Sequence, residues 1–156
     1  MRIKTILNRI EKQPGCVDEQ GRWSEDGKRI EGPIRPAART LPVCSRGGER
    51  RPGDDTLAAR RCEYVPLWGF AVVRVDAMRR GDGAQWGVQV ERVPWAAGKH
   101  RLTWSDVWFL SRWARRLSWA EGARIFSTSW PTVLRAVEVA VEWGRARMPM
   151  DGITGG

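Results

Sequence analysis

The chain is poor in the residues that carry most metal and nucleophilic chemistry. Among its 156 residues histidine occurs once, at His100, and cysteine three times, at Cys16, Cys44 and Cys62. The cysteines are odd in number, widely separated and never spaced C-x-x-C, which argues against a disulfide framework and against an ordinary four-ligand zinc site. Reduced thiols are the expectation. The single histidine lies far from any Gly-x-Ser-x-Gly pattern, so no nucleophile–base pair is legible. Asp54-Asp55 sits in a Gly/Pro-rich stretch and reads as a solvated turn, not as the carboxylate cluster that two-metal phosphoryl chemistry needs. Long apolar runs are also missing. Stretches such as 65–73 are far too short to cross a bilayer, and the N-terminus lacks the apolar region and small-residue cleavage site of a secretory signal. These absences predict a cytoplasmic protein with no cofactor, no membrane partner and no small-molecule substrate.

Positive charge, by contrast, is abundant. Lys and Arg number 27 against 18 Asp and Glu, for a net charge of +9 and a pI of about 10.6. A chain with this balance attracts polyanions, nucleic acid being the usual partner, although Arg-rich codon usage alone also yields a basic surface. The charge is unevenly placed: residues 93–147 hold nine bases against four acids. Hydrophobic residues make up 42 %, enough to build packed cores and to exclude wholesale disorder.

Pattern changes along the chain divide it. Residues 3–12 predict a short amphipathic helix with Ile3, Ile6, Leu7 and Ile10 on one face, stopped by Pro14-Gly15. Residues 17–23 and 29–34 predict a hairpin about Asp26-Gly27, with Pro33 and Pro36 making its second strand short or an edge. Residues 36–56 predict loop. Residues 61–66, 70–78 and 86–93, each β-branched or aromatic and each bounded by Gly or Pro, predict a three-stranded sheet, followed by a linker over 94–99.

From Thr103 the period becomes helical. Thr103 caps a helix with Val107, Leu110, Ala114 and Leu117 inward and Arg112, Arg115 and Arg116 towards the other side. Ser118 with Glu121 forms an S-x-x-E capping box that starts a helix over 119–126. Ser127-Thr128-Ser129 makes a turn, and Ser129 caps a helix to about Arg147, with Pro131 in its first turn and Val133, Val137, Ala140, Val141 and Gly144 inward. A short helix, a three-residue turn and a basic second helix fit a DNA-reading helix-turn-helix. Ala123 supplies the small residue at the crossing, and Ile125, Phe126, Val133 and Val137 the apolar lock. Thr128, Ser129, Thr132 and Arg135 are the candidates to meet the DNA, with Thr132 and Arg135 on base edges; Arg112, Arg115, Arg116, Arg145 and Arg147 are the candidate phosphate contacts. Against this, many helix pairs with a short turn merely pack, and Arg135 has Glu138 at i,i+3 as an alternative partner. Of the ten tryptophans, six fall at Trp104, Trp108, Trp113, Trp119, Trp130 and Trp143; packing is the expected role for most, and stacking on bases the alternative.

The stretches "MRIKTILNRIEKQPG", "RWSEDGKRIE", "YVPLWG", "AMRR", "ERVPWAAGKHRLT", "LSRWARRLSW", "RAVEVAVEWGRARM" and "DGIT" run in order over the chain. In these the sequence resembles the ISL-three family of bacterial insertion-sequence transposases. The resemblance implies a zinc-binding N-terminal domain, a helix-turn-helix, and then a ribonuclease-H-type catalytic domain with an acidic metal-holding triad; it implies transposon terminal-repeat DNA as ligand. The family's two C-x-x-C knuckles fall here on Cys44 with Gly47 and on Gly83 with Trp86, so Cys44 is the only surviving zinc-ligand position and no bound metal is expected. After "DGIT", where the family continues into its first catalytic strand, the sequence ends.

The expected fold class is therefore α+β: a small β-rich, zinc-ribbon-like domain whose zinc ligands are lost, then an all-α helix-turn-helix domain. The expected boundaries are 1–38 for the N-terminal helix and hairpin, 39–98 for the degenerate zinc-finger-like domain, 99–150 for the helix-turn-helix, and 151–156 for the truncated start of a catalytic domain. The expected function is that of a truncated transposase fragment, nucleoid-associated, that binds double-stranded DNA and does not cut it. Two alternatives stay open: a decayed reading frame without function, and a DNA-binding subunit acting beside a full-length transposase.

Overall fold

A computed structural model of the chain describes residues 3–83, 85, 87–96, 98 and 100–148; Trp86, Lys99 and the 151–156 segment, on which some expectations fall, lie outside the described residues. The first helix, α1 (Ile3–Ile10), forms as the apolar spacing requires. Leu7 is buried, but Ile10 stays 60 % exposed, so the stripe is used only in part.

Three strands follow: β1 (Cys16–Asp18), β2 (Arg22–Trp23) and β3 (Arg29–Pro36). The hairpin about Asp26-Gly27 is present, with Trp23 opposite Ile30 and Arg22 opposite Glu31. Its turn is tied by Asp26, which accepts from the Ser24 hydroxyl and the Lys28 N–H, and Gly27 takes the positive φ of 66° that a Cβ would disfavour. The expectation that β3 is short or an edge is corrected. It is eight residues long, with β1 and β2 on one flank and β6 (Phe70–Asp76) parallel to it on the other. Pro33 is tolerated because the facing chain leaves the ladder between Asp18 and Arg22, while its carbonyl still accepts the Glu19 N–H at 2.9 Å.

The main sheet is completed by β5 (Arg60–Leu67), antiparallel to β6, giving the order β1-β3-β6-β5 with β2 also on β3. It thus joins strands from both the 1–38 and the 39–98 segments. A second sheet orders β4 (Gly53–Thr56), β7 (Arg79–Gly83) and β8 (Gly87–Val90). Two expectations change here. The 36–56 loop contains β4, and the 86–93 strand pairs with β7, not with β5 and β6. The polar sequences of β4 and β7 carry no apolar alternation; backbone pairing and an Arg80–Asp55 ion pair hold them together.

One face of the main sheet buries Ile30, Tyr64 and Val72 under Leu7, and further along Ile34 and Cys62 under Trp95 and Ala96. The expected linker therefore places two residues in the core, and Arg60 lies 5.6 Å from the Trp95 ring. Burial pushes the Cys62 thiol up to about 11, which makes it unreactive. On the same face Arg74 forms a buried ion pair with Asp18. Gly32 makes room for it, since a Cβ there would sit 3.0 Å from Leu7 Cδ1 and 3.3 Å from Arg74 Nη1.

The last three elements are α2 (Trp104–Trp113), α3 (Trp119–Ile125) and α4 (Trp130–Arg147). All three expected caps form. The Thr103 side chain accepts from the Asp106 N–H, Ser118 and Glu121 make a reciprocal capping box, and Ser129 accepts from the Thr132 N–H. Their shared core is Leu102, Val107, Leu110, Ala123, Val133, Ala136 and Val139. The inward stripe of α4 is thus rotated from the expected one, and Val141 is 46 % exposed. Valine and alanine surround α4 on several sides, so periodicity alone left its face ambiguous. The choice is made at the crossing with α2, where small Ala136 is fully buried and its carbonyl accepts the Ser111 hydroxyl at 3.1 Å. The fold is α+β, and among the described residues no helix is long and apolar enough to cross a membrane.

Candidate nucleic-acid interface

The turn between α3 and α4 is built by local backbone chemistry. Phe126 ends α3, Ser127 takes the left-handed conformation at φ 56°, and the Thr128 N–H reaches back to the Ala123 carbonyl at 2.9 Å. This is the six-to-one bond of a Schellman ending. It reverses the chain within three residues and delivers Ser129 as the cap of α4. Ala123 is buried where the two helices meet, and Phe126 packs edge-on against Phe109 at 4.8 Å and near Trp113 at 5.6 Å. Of the expected apolar lock, Val133 is in the shared core with Phe126 packed against it, whereas Ile125 is corrected, being 52 % exposed.

Ring contacts fix the direction of the helices. Trp108 meets Trp143 at 5.0 Å, while Trp113 meets Phe126, so α2 and α4 run antiparallel. The exposed Arg112, Arg115 and Arg116 at the end of α2 therefore lie towards the N-terminal end of α4, with Thr128, Ser129, Thr132 and Arg135. Arg145 and Arg147 are exposed at the other end, roughly 20 Å along the helix axis at 1.5 Å per residue. The nine candidate residues thus form two groups. Arg147 stacks over Trp143 at 4.0 Å, and Arg135 pairs with Glu138 at 2.9 Å across one turn.

Glu63, on β5, was not singled out by the sequence. Its carboxylate accepts the Thr128 hydroxyl at 2.6 Å and the Thr132 hydroxyl at 3.4 Å. Its backbone N–H bonds to the Arg101 carbonyl, and its own carbonyl accepts both the N–H and the hydroxyl of Thr103. One sheet residue therefore holds the cap of α2 and the start of α4 together. The N-terminal end of a helix carries partial positive charge and unsatisfied N–H groups, the place where a phosphate binds well. Here a carboxylate occupies its flank, and two of the three expected DNA-facing hydroxyls, those of Thr128 and Thr132, point to Glu63. No local signal reveals this contact, because Glu63 is separated from Thr128 by 65 residues.

Asp106 lies beside this junction, 2 % exposed, with Oδ2 lacking a hydrogen-bond partner. Burial, followed by repulsion from Glu63, pushes its carboxyl up to about 7.

Cys44, expected to mark a first zinc knuckle, lies in a tight turn. The Cys44 N–H bonds to the Glu49 carbonyl and the Gly48 N–H to the Cys44 carbonyl. Backbone N–H groups of Gly47 and Arg46 aimed at the sulfur hold its thiol below the ordinary value. Cys44 pairs with Glu91, however, just past the end of β8 and away from the Gly83–Gly87 pair beside which the second knuckle is expected. Among the described residues, no group of three or more His, Cys, Asp or Glu side chains is arranged to hold a metal ion.

No family model, curated protein or solved structure matches the chain.

Proposed function

We propose that this chain is a DNA-binding unit of the insertion-sequence transposase type, in which α3 and α4 act as a helix-turn-helix on terminal-repeat DNA. The β-rich part corresponds in this reading to a zinc-ribbon-like module that has lost its metal. The observation that carries the reading is the α3–α4 junction: a Schellman turn of three residues, a buried alanine at the crossing, a serine cap, and a surrounding surface of exposed arginines. That is the geometry by which the start of a second helix enters a major groove. Arg135 reads a guanine edge after exchanging its exposed Glu138 partner for the base, a small cost because such surface pairs contribute little. Arg112, Arg115 and Arg116 hold phosphates beside the entry point, and Arg145 and Arg147 hold them farther along the strand.

The test is Arg135→Ala in the full chain, followed by footprinting and affinity on a duplex selected from a randomised pool. The expected loss is about 1–3 kcal/mol, with relaxed preference at one base pair. An unchanged footprint and preference would remove α4 from the reading role. A second reading, a product that has lost DNA binding, draws on the capture of Thr128 and Thr132 by Glu63; it expects no sequence preference at all.

A further inference from the structure

Helix α4 carries a second apolar stripe that its own core does not use. The residues it buries among α2 and α3 are Val133, Ala136 and Val139. Trp130, Leu134, Val137, Val141, Gly144 and Met148 lie instead at alternating steps of four and three residues. That spacing keeps side chains on one line of a helix and forms the seam of a coiled coil. Trp130 is 55 %, Val141 46 % and Met148 74 % exposed, while Leu134, Val137 and Gly144 are partly exposed. A Cβ built on Gly144 would meet nothing within 4 Å, so the C-terminal half of this face is open and another helix can approach closely there.

The charged residues beside the stripe select what fits it. Glu138 and Arg145 each follow a seam position, Val137 and Gly144, and so border the stripe on its solvent side. Both are exposed; Glu138 pairs with Arg135 across one turn, and Arg145 meets no acid among the described residues. Lay two copies of α4 antiparallel, with Val141 of one facing Gly144 of the other and Val137 facing Met148. Glu138 of each copy then lies beside Arg145 of the other, twice over by the twofold axis. Small Gly144 opposite Val141 lets the two backbones close up. Antiparallel pairing of Val141 with Val137 would instead set Glu138 against Glu138, and a parallel pair would leave both ions unmatched. Residues bordering such a seam fix its orientation, so the stripe is complementary to its own reverse in one register.

We propose that the C-terminal half of α4 is the seam of a homodimer, packed antiparallel against α4 of a second copy of this chain. The inference goes beyond the DNA-binding reading and stands whether or not that reading holds. The seam leaves Ser129 to Arg135 outside it, and in the dimer Arg145 turns to Glu138 of the second copy. Residues 137–148 span about 18 Å of helix at 1.5 Å per residue, a short seam, so the dimer forms reversibly and depends on concentration.

The test is sedimentation equilibrium of the full chain without DNA over a concentration series reaching the hundred-micromolar range. Val141→Glu, Glu138→Arg and the double variant Glu138→Arg/Arg145→Glu are compared with wild type, with a thermal melt of each. All three positions are exposed, so the variants should fold. Wild type is expected to dimerise. Val141→Glu should raise the dimer dissociation constant by at least about tenfold, because it removes two buried valines and buries two charges. Glu138→Arg should weaken the dimer and the double exchange restore it, more visibly at low salt. A wild-type chain that stays monomeric, or a dimer indifferent to Val141→Glu, would overturn the inference. A dimer weakened by Val141→Glu but not rescued by the double exchange would overturn the antiparallel arrangement proposed. If the chain stays monomeric while Val141→Glu weakens binding to the selected duplex, the stripe belongs to DNA and the proposal falls, whereas Arg135→Ala tests the DNA-binding reading separately.

Discussion

Thr128 donates to the carboxylate of Glu63 at 2.6 Å, so the residue that leads into the proposed reading helix is bonded to a strand of the sheet. Thr132, in the first turn of α4, reaches the other oxygen of the same carboxylate. A negative charge on the flank of a helix that must approach phosphates opposes that approach.

Glu63→Gln removes the charge while keeping one acceptor oxygen for a threonine hydroxyl and presenting an N–H to the other. Relief of about 1 kcal/mol, roughly fivefold tighter binding, is expected from the end-of-helix electrostatics. Fluorescence anisotropy with labelled duplex checks it. Unchanged or weaker binding by a folded variant would mean that Glu63 does not oppose DNA.

Asp106 predicts a pH dependence of stability. Its carboxyl is raised from 3.8 to about 7, first by burial and then by Glu63. The native state therefore binds this proton more tightly than the unfolded chain. The contribution is fully present below about pH 4 and is lost as pH rises through 7. At 1.36 kcal/mol per pKa step, the charged form costs about 4 kcal/mol. Asp106→Asn should be more stable than wild type at pH 8, with the gap closing towards pH 4. Urea denaturation at the two pH values measures the difference directly, and a pH-independent gap would contradict it. The comparison with wild type matters because Glu31, held low by Arg61 and Arg22, contributes in the opposite direction.

Ser127 holds a left-handed conformation at φ 56°, which costs a residue with a Cβ roughly 1–2 kcal/mol. Ser127→Gly relieves that cost, offset in part by the greater freedom glycine gives the unfolded chain. A net gain of about 0.5–1 kcal/mol is expected, read as a raised melting temperature. A lower one would contradict the Schellman assignment.

Arg74 and Asp18 are both buried and paired. Asp18→Ala strands the guanidinium and should cost about 3–5 kcal/mol, whereas replacing both residues with apolar ones of similar volume should cost far less. Denaturation of the single and double variants distinguishes them. Equal losses would mean that packing, not charge, is what Asp18 supplies.

These contacts also show what was legible in the sequence. The caps at Thr103, Ser118 and Ser129 and the Asp26-Gly27 turn depend on residues no more than three apart, and each was readable. The Arg135–Glu138 pair was foreseen as an alternative for the same reason. β7 was missed because its ladder is backbone pairing with polar partners. The central position of β3 was missed because its proline is accommodated by a gap in a neighbouring strand. Trp95 was placed in a linker because its partners, Ile34 and Cys62, are distant in sequence. At the candidate interface, the arginines and the turn were visible, but the capture of Thr128 and Thr132 was not. It depends on one glutamate in a strand with no local relation to α4.

The most direct test of the central claim is the affinity of the protein for a duplex selected from a randomised pool, compared with the same duplex shuffled, across a range of salt concentrations. DNA binding through α4 predicts a clear preference for the selected sequence, with log K falling linearly as log salt rises because bound phosphates release counterions. Equal, weak binding to both duplexes would contradict it and leave a basic surface without a reading helix.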